Sequence, residues 1–594
     1  MTPSPTEPTE PTEPTDSTPF PARPLAPLGT ATREPTAVDA VAERWFRRTL
    51  ELDPAEAAVH GLAEEVVPGR ETEYRDYGPE GRQARAEAAR AALAELGRTA
   101  PADDVDRVTA HALRERLGLE LTLHEAGLTG WAVNNVASPV QGIRDVFDVL
   151  PQDTPEDWAR ITGRLANVPA AVGSYLTALR EARSRGRSAS GVQLRNAAGL
   201  AEGYAADDGS FALLARDPRA PGSLRGQLEA AAAAASGAYR ELAGALRAEL
   251  APGARGSDAV GPDEYVLRLR EFLGAVVDPA ETYAWGVEQL RSVVAEQEQL
   301  ARRIVPGGTV PEAVAALDAD PARRLKGTEE LREWMQELSD AAVAALSDTH
   351  FELTEPMRRL ECRIAPTTDG GIYYTPPSAD LSRPGRMWWS VPAGVDSFTT
   401  WQETTTVHHE GVPGHHLQVA TAVANSGELN RWRRLGLWVS GHGEGWALYA
   451  ERLMDELGHL QDPGDRMGML DAQRMRAARV VFDVGFHCGF RVPAELGGIL
   501  GGARAGRVWT PQDGWSFLRA NIAMTEPSLR FEWMRYMGWP GQAPSYKLGQ
   551  DRWERARETA RAAAGPRFRL REFHSRALRT GSVGLDTLEF ALNL

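Results

Sequence analysis

From Val38 onward the chain is written almost wholly in strong helix formers, and amphipathic helical stretches follow one another for some three hundred residues. In VDAVAERWFRRTLEL, Val41, Trp45 and Leu50 recur near the helical period. GRQARAEAARAALAELG, EDWARITGRLANVPAAVGSYLTALREARSRG and PAETYAWGVEQLRSVVAEQEQLARRI follow, with Gly and Pro between them. A chain of this kind can only bury its apolar stripes helix against helix, so the fold class is mainly α. No fixed repeat period marks it as a solenoid. Residues 351–391 depart from the pattern, with the short β-type runs LECRI and GIYYT between Pro and Gly-Gly turns, which predict a small sheet. Helices then resume, including WQETTTVHHE, HLQVATAVAN, EGWALYAERLMDELG and DAQRMRAARVVFDVGFH.

The expected organisation is a disordered tail over residues 1–37 and one large helical domain over 38–594, divided into a helical half (38–350) and a half with the β-segment and the motifs below (351–594). The tail repeats Thr-Glu-Pro units and has almost no apolar side chains to offset the entropy of folding. It lacks the basic start and apolar stretch of a signal peptide, so the expected location is cytoplasmic. With 594 residues there is ample chain for a large core, and a formal net charge of -16 disfavours nucleic acid and anionic lipid as partners. No 18-residue apolar run predicts a membrane span. The two cysteines, Cys362 and Cys488, are too few for a disulfide framework or a thiolate zinc cluster.

Four of the twelve histidines fall within HHEGVPGHH, as His408, His409, His415 and His416. Imidazole is a common zinc ligand, and Glu410 supplies the carboxylate with which metallohydrolases take a proton from water. His409 and His415 are six residues apart, about 600° of rotation and about 9 Å of rise, so an unbroken helix could not aim both at one ion. Pro413-Gly414 predicts a break that would bring His415 back toward His409, whereas His416 is the weaker candidate. The bland alternative is a polar histidine run at a helix end, and His442 and His459 read as structural.

A third ligand is expected from GHGEGWALYAERLMDELG. Glu444, Glu451 and Asp455 fall on one stripe of that helix, with Glu444 as ligand and Glu451 placed to orient a histidine. An oxyanion would also need donors. His487, Tyr536 and Tyr546 are candidates, and Arg535 could pair with a substrate carboxylate.

HEGVPGHHLQ, EGWALYAERL, RAARVVFDVGFH and RYMGWPGQAPSYKLG, in this order, resemble the bacterial domain-of-unknown-function 885 family, and GIYYTPPSADLSRPG fits too. That family is similar to the gluzincin metallopeptidases such as carboxypeptidase Taq and the thimet oligopeptidase group. The resemblance implies a largely helical fold with a small sheet beside a deep active-site channel. It implies Zn2+ held by His409, His415 and Glu444, Glu410 as general base, and Tyr546 as oxyanion donor with His487 assisting. An edge strand around Ile372 to Tyr374 would receive an extended peptide, with Tyr374, Arg535 and Tyr536 as substrate-binding residues. The leading expectation is a zinc-dependent hydrolase of short peptides or related amides. Its alternatives are a metal-dependent tailoring enzyme acting on a small metabolite and a helical scaffold without catalysis.

Overall fold

The computed structural model describes residues 27–29, 32–365, 371–392 and 394–594. Residues 1–26, which carry the Thr-Glu-Pro repeats, lie outside the described residues. The chain is mainly helical, and its helices begin where local chemistry starts them. Capping boxes of Thr36 with Asp39, Thr154 with Asp157 and Thr309 with Glu312 open Ala37–Leu52, Pro155–Ser184 and Val310–Ala319. The folded body starts ahead of the boundary that composition sets at residue 37. Leu28 is buried, and Arg33 is held by Asp39 at 2.5 Å, Asp103 at 2.6 Å and Asp106. Asp103 and Asp106 lie about seventy residues further along the chain, so the local text gives no sign of them.

Two helical cores matter here. Pro139–Val149, Pro155–Ser184, Gly191–Tyr204 and Arg225–Gly244 enclose one built on Trp158, Tyr175, Phe211 and Tyr239. The other takes Val41 and Trp45 from the first helix and Leu113 from Asp104–Glu125. It joins them to Trp446, Trp553 and Leu588 from the C-terminal part. Residue 350 therefore divides the sequence but not the packing, since helices from both sides share one continuous core.

Strands β1 (Arg324–Lys326) and β5 (Ser397–Thr399) form an antiparallel ribbon. Strands β2 (Leu360–Ile364), β3 (Ile372–Thr375) and β4 (Gly385–Trp389) form a sheet of order β2-β4-β3, with β2 parallel and β3 antiparallel to β4. LECRI and GIYYT are thus strands, but they do not pair with each other, because β4 lies between them. Leu360, Met387 and Trp389 pack with Val407, which fixes the sheet against helix Thr400–Glu410. Among the described residues no helix is long and apolar enough to cross a membrane.

Candidate metal centre

Helix Thr400–Glu410 carries His408, His409 and Glu410 at its C-terminal end, and a new helix, His415–Ala424, starts after four intervening residues. Only glycine fits at position 414, since a Cβ there would collide with the His409 carbonyl. The indole of Trp446 donates to the carbonyls of Pro413 (2.8 Å) and Gly414 (3.2 Å), which pins the turn. The result is a reversal that places the His409 and His415 rings 4.8 Å apart, nearly perpendicular at 84°.

Helix Ser440–Glu456 supplies two carboxylates to this pair. Glu444 Oε2 lies 3.3 Å from His409 Nε2 and 3.4 Å from His415 Nε2. Glu451 Oε1 accepts from His409 Nδ1 at 2.8 Å, while its other oxygen accepts from Thr405 at 2.7 Å. With Nδ1 donating to Glu451, His409 points Nε2 into the space it shares with His415 and Glu444, where loss of the Nε2 proton would leave a lone pair for a metal. Donor atoms bonded to one tetrahedral zinc at about 2.1 Å are separated by about 3.4 Å, so this donor set fits a zinc ion in both chemistry and spacing.

Glu410 also belongs to the cluster, since His409, Glu410 and His415 each offer a donor atom within 4.8 Å of the others. Electrostatics separate the two glutamates. Burial raises Glu444, but hydrogen bonds from His409 and His415 overcome it and hold the carboxyl well below its ordinary range, as befits an anionic ligand. Glu410 is raised, chiefly by burial, and so takes up a proton more readily. Burial lowers His409, yet its hydrogen bonds to Glu444 and Glu451 carry it up to about 9 without a metal.

The other histidines have separate duties. His416 is committed at both nitrogens, to the Tyr374 hydroxyl at 3.0 Å and, as donor, to the Met357 carbonyl at 2.8 Å. That leaves it no free donor atom, so His415 is the ligand candidate. His408 is buried and pushed down to about 4, first by burial. His442 pairs with Gln418 at 2.9 Å and lies against Trp553, and His459 is exposed.

Tyr546 is brought in by a close helix crossing. Ser545–Ala564 meets Ser440–Glu456 at Gly445 and Gly549, where a Cβ on either would strike the opposing backbone. Burial pushes Tyr546 up, and Glu444 adds to the rise, so the phenol keeps its proton within electrostatic reach of that carboxylate. Its oxygen accepts from Arg535 Nη2 at 3.3 Å.

Four expected roles change. His487 Nε2 donates to the Tyr536 carbonyl at 2.8 Å, and its ring stacks on Tyr265. It also stands eleven residues, about 16 Å, along the helix from Arg476, whose charge reaches Glu410 and Glu451, and so ties helices together instead of assisting at the cluster. Tyr536 is fully buried, donates to Glu532 and accepts from Arg479 at 2.6 Å, which leaves nothing for a substrate. The Tyr374 hydroxyl is engaged by His416, so its side chain supports a helix and only the β3 backbone remains as a binding edge. Arg535 is bound by Glu532 at 3.0 Å and Gln542 at 2.6 Å.

Sequence reasoning missed Arg476, Arg479, Glu532 and Trp438. The indole of Trp438 is 50% exposed and lies 5.8 Å from the His415 ring. Nothing in the text separates it from the other fifteen of the sixteen tryptophans.

Fold and cluster together define a mainly helical protein with a His-His-Glu donor set, its histidines buried, and a neighbouring buried glutamate. The chain belongs to the family of bacterial proteins of unknown function DUF885, which matches residues 54–592. It shares its fold with the putative lipoprotein from Colwellia psychrerythraea, at 22% identity and a TM-score of 0.80 over 94% of this chain and 99% of that one. A putative lipoprotein of unknown function from Shewanella oneidensis is similar at 16% identity and a TM-score of 0.66, over 93% and 99%. No curated protein matches the chain.

Proposed function

We propose that the protein is a zinc-dependent hydrolase of short peptides or related amides, with a site akin to that of the gluzincin metallopeptidases. The observation that carries this reading is the convergence of His409 Nε2, His415 Nε2 and Glu444 Oε2, with Glu410 beside them. Bound by these three residues, zinc would supply a Lewis acid that polarises the scissile carbonyl and acidifies water. Glu410, raised by burial, takes the proton of the attacking water and passes it to the leaving amine. Glu451 and Thr405 hold His409 in the tautomer and orientation the site requires. Tyr546, whose oxygen already accepts from Arg535, has its own proton free to donate to the oxyanion. The outer edge of β3 offers main-chain hydrogen bonds to an extended substrate.

Glu410→Gln separates the roles. The variant is expected to keep its zinc and lose about 100-fold to 10,000-fold in turnover against a library of short peptides. Undiminished hydrolysis would remove Glu410 as the base, and loss of the metal would make it a ligand.

A further inference from the structure

Beside the histidine cluster stands a group of three arginines. Helix Pro463–His487 carries Arg476 and Arg479 three residues apart, and helix Glu526–Gly538 brings Arg535 toward them. All three guanidinium groups surround the Tyr546 ring, at 6.0 Å, 5.0 Å and 5.9 Å from its centre. Arg479 and Arg535 share one carboxylate, Glu532, at 2.7 Å and 3.0 Å. Each has further partners: Arg479 the Tyr536 hydroxyl, Arg535 the side chains of Gln542 and Tyr546.

Arg476 has none of this. Its one hydrogen bond among the described residues runs from Nη1 to the Ala472 carbonyl on its own helix, at 3.4 Å. Its Nε is buried without a partner. A guanidinium offers five donors in a planar fork, and a buried donor with no acceptor is unfavourable until a ligand supplies one. The charged groups within its reach are Glu410 and Glu451 on the two site helices and Asp471 on its own helix. None forms an ion pair with it.

We propose that Arg476, backed by Arg479 and Tyr546, anchors a substrate carboxylate adjacent to the bond that is cut. Arg535, for which that task was expected, is already saturated by Glu532, Gln542 and Tyr546. The fork geometry suits bidentate pairing with a planar carboxylate, which lysine would not reproduce. The adjacency rests on the hydrolase reading, because it comes from Arg476 lying 6.0 Å from the ring of Tyr546, the proposed oxyanion donor, with its charge felt at Glu410; the carboxylate preference does not. The carboxylate belongs either to the C-terminus of a peptide or to an acidic side chain.

Calorimetric titration of the zinc-loaded full-length protein distinguishes these sources. The probes are N-acetyl-Ala-Ala, its C-terminal amide, N-acetyl-Ala-Glu-amide and N-acetyl-Ala-Gln-amide. The wild type is expected to bind one carboxylate probe about 30-fold or more tighter than its neutral partner. Preference within the first pair assigns the C-terminus, and preference within the second assigns the side chain. Arg476→Ala is expected to abolish the preference at unchanged zinc content, and Arg476→Lys to restore only part of it. Wild-type protein that binds acid and neutral probes alike, or binds none, overturns the proposal whether or not the variants fold. A retained preference in Arg476→Ala also overturns it. Selective binding without hydrolysis would sink the hydrolase reading and leave the anchor, whereas hydrolysis without selectivity would do the reverse.

Discussion

In the core of residues 139–250 and around His409 the chain buries polar atoms in two different ways. The first core ends its buried tyrosines on backbone carbonyls: Tyr175 donates to Ala132 at 2.7 Å and Tyr239 to Val140 at 2.8 Å. Even the buried Arg164 is satisfied by main-chain oxygens, those of Glu73 at 2.9 Å and Glu71. Around His409 the buried side chains end on one another, in the chains Thr405 to Glu451 to His409 to Glu444 and Arg479 to Glu532 to Arg535. The first arrangement leaves each polar group neutralised by a scaffold that does not titrate. The second couples ionisable groups so that each sets its neighbours' protonation, which is a costly way to fill a core and a usual way to build a reactive site. The helical packing outside the site is a frame, and the ionisable network is what the frame holds.

Substitutions in each region should break this contrast if it is mistaken. Trp158→Ala in the first core is expected to destabilise the protein by about 3–5 kcal/mol in denaturant titration, with zinc content unchanged. Loss of zinc there would mean the frame and the site are not separable. Glu451→Gln removes the charge behind His409 while keeping its volume, and zinc affinity measured by chelator competition should fall about 10-fold to 100-fold. An unaltered affinity would reduce Glu451 to a packing residue.

A third test uses pH. Without metal, His409 titrates at about 9, above its ordinary 6.5, because its bonds to Glu444 and Glu451 outweigh burial. Its stabilising contribution is therefore complete below pH 6.5 and drains away as pH rises through about 9. Thermal melts of the metal-free protein should lose stability across that window, and zinc-loaded protein, whose His409 must be neutral, should not lose this contribution. A metal-free melting temperature indifferent to pH there would uncouple His409 from its carboxylates. The smallest effect is expected from Tyr239→Phe, which removes one hydroxyl from the first core at a cost of about 1 kcal/mol and leaves the site untouched.

The centre of the candidate site was more legible in the sequence than its surroundings. His409, Glu410, His415 and Glu444 could be picked out because their residue types are rare in such a pattern and because Pro413-Gly414 marks the chain reversal. Glu451 could be paired with a histidine because it lies two helical turns beyond Glu444. Residues whose partners are distant in sequence could not be read this way. Tyr536 and Arg535 carry the same labels as substrate-binding side chains, and only Glu532, Arg479 and Gln542 reveal them as occupied. Arg476 was one arginine among many until its neighbours showed it unpaired. The fold divides similarly: helices and two strands follow from local periodicity, whereas the insertion of β4 between β2 and β3, and the core shared across residue 350, depend on long-range packing.

The central claim is that His409, His415 and Glu444 hold one zinc ion. Elemental analysis of the purified protein, with His415→Ala and His416→Ala alongside and each dialysed against a weak chelator, tests it most directly. The account expects about one zinc per chain in the wild type and in His416→Ala, and none in His415→Ala. A wild type without transition metal, or zinc lost with His416 and retained without His415, would contradict it.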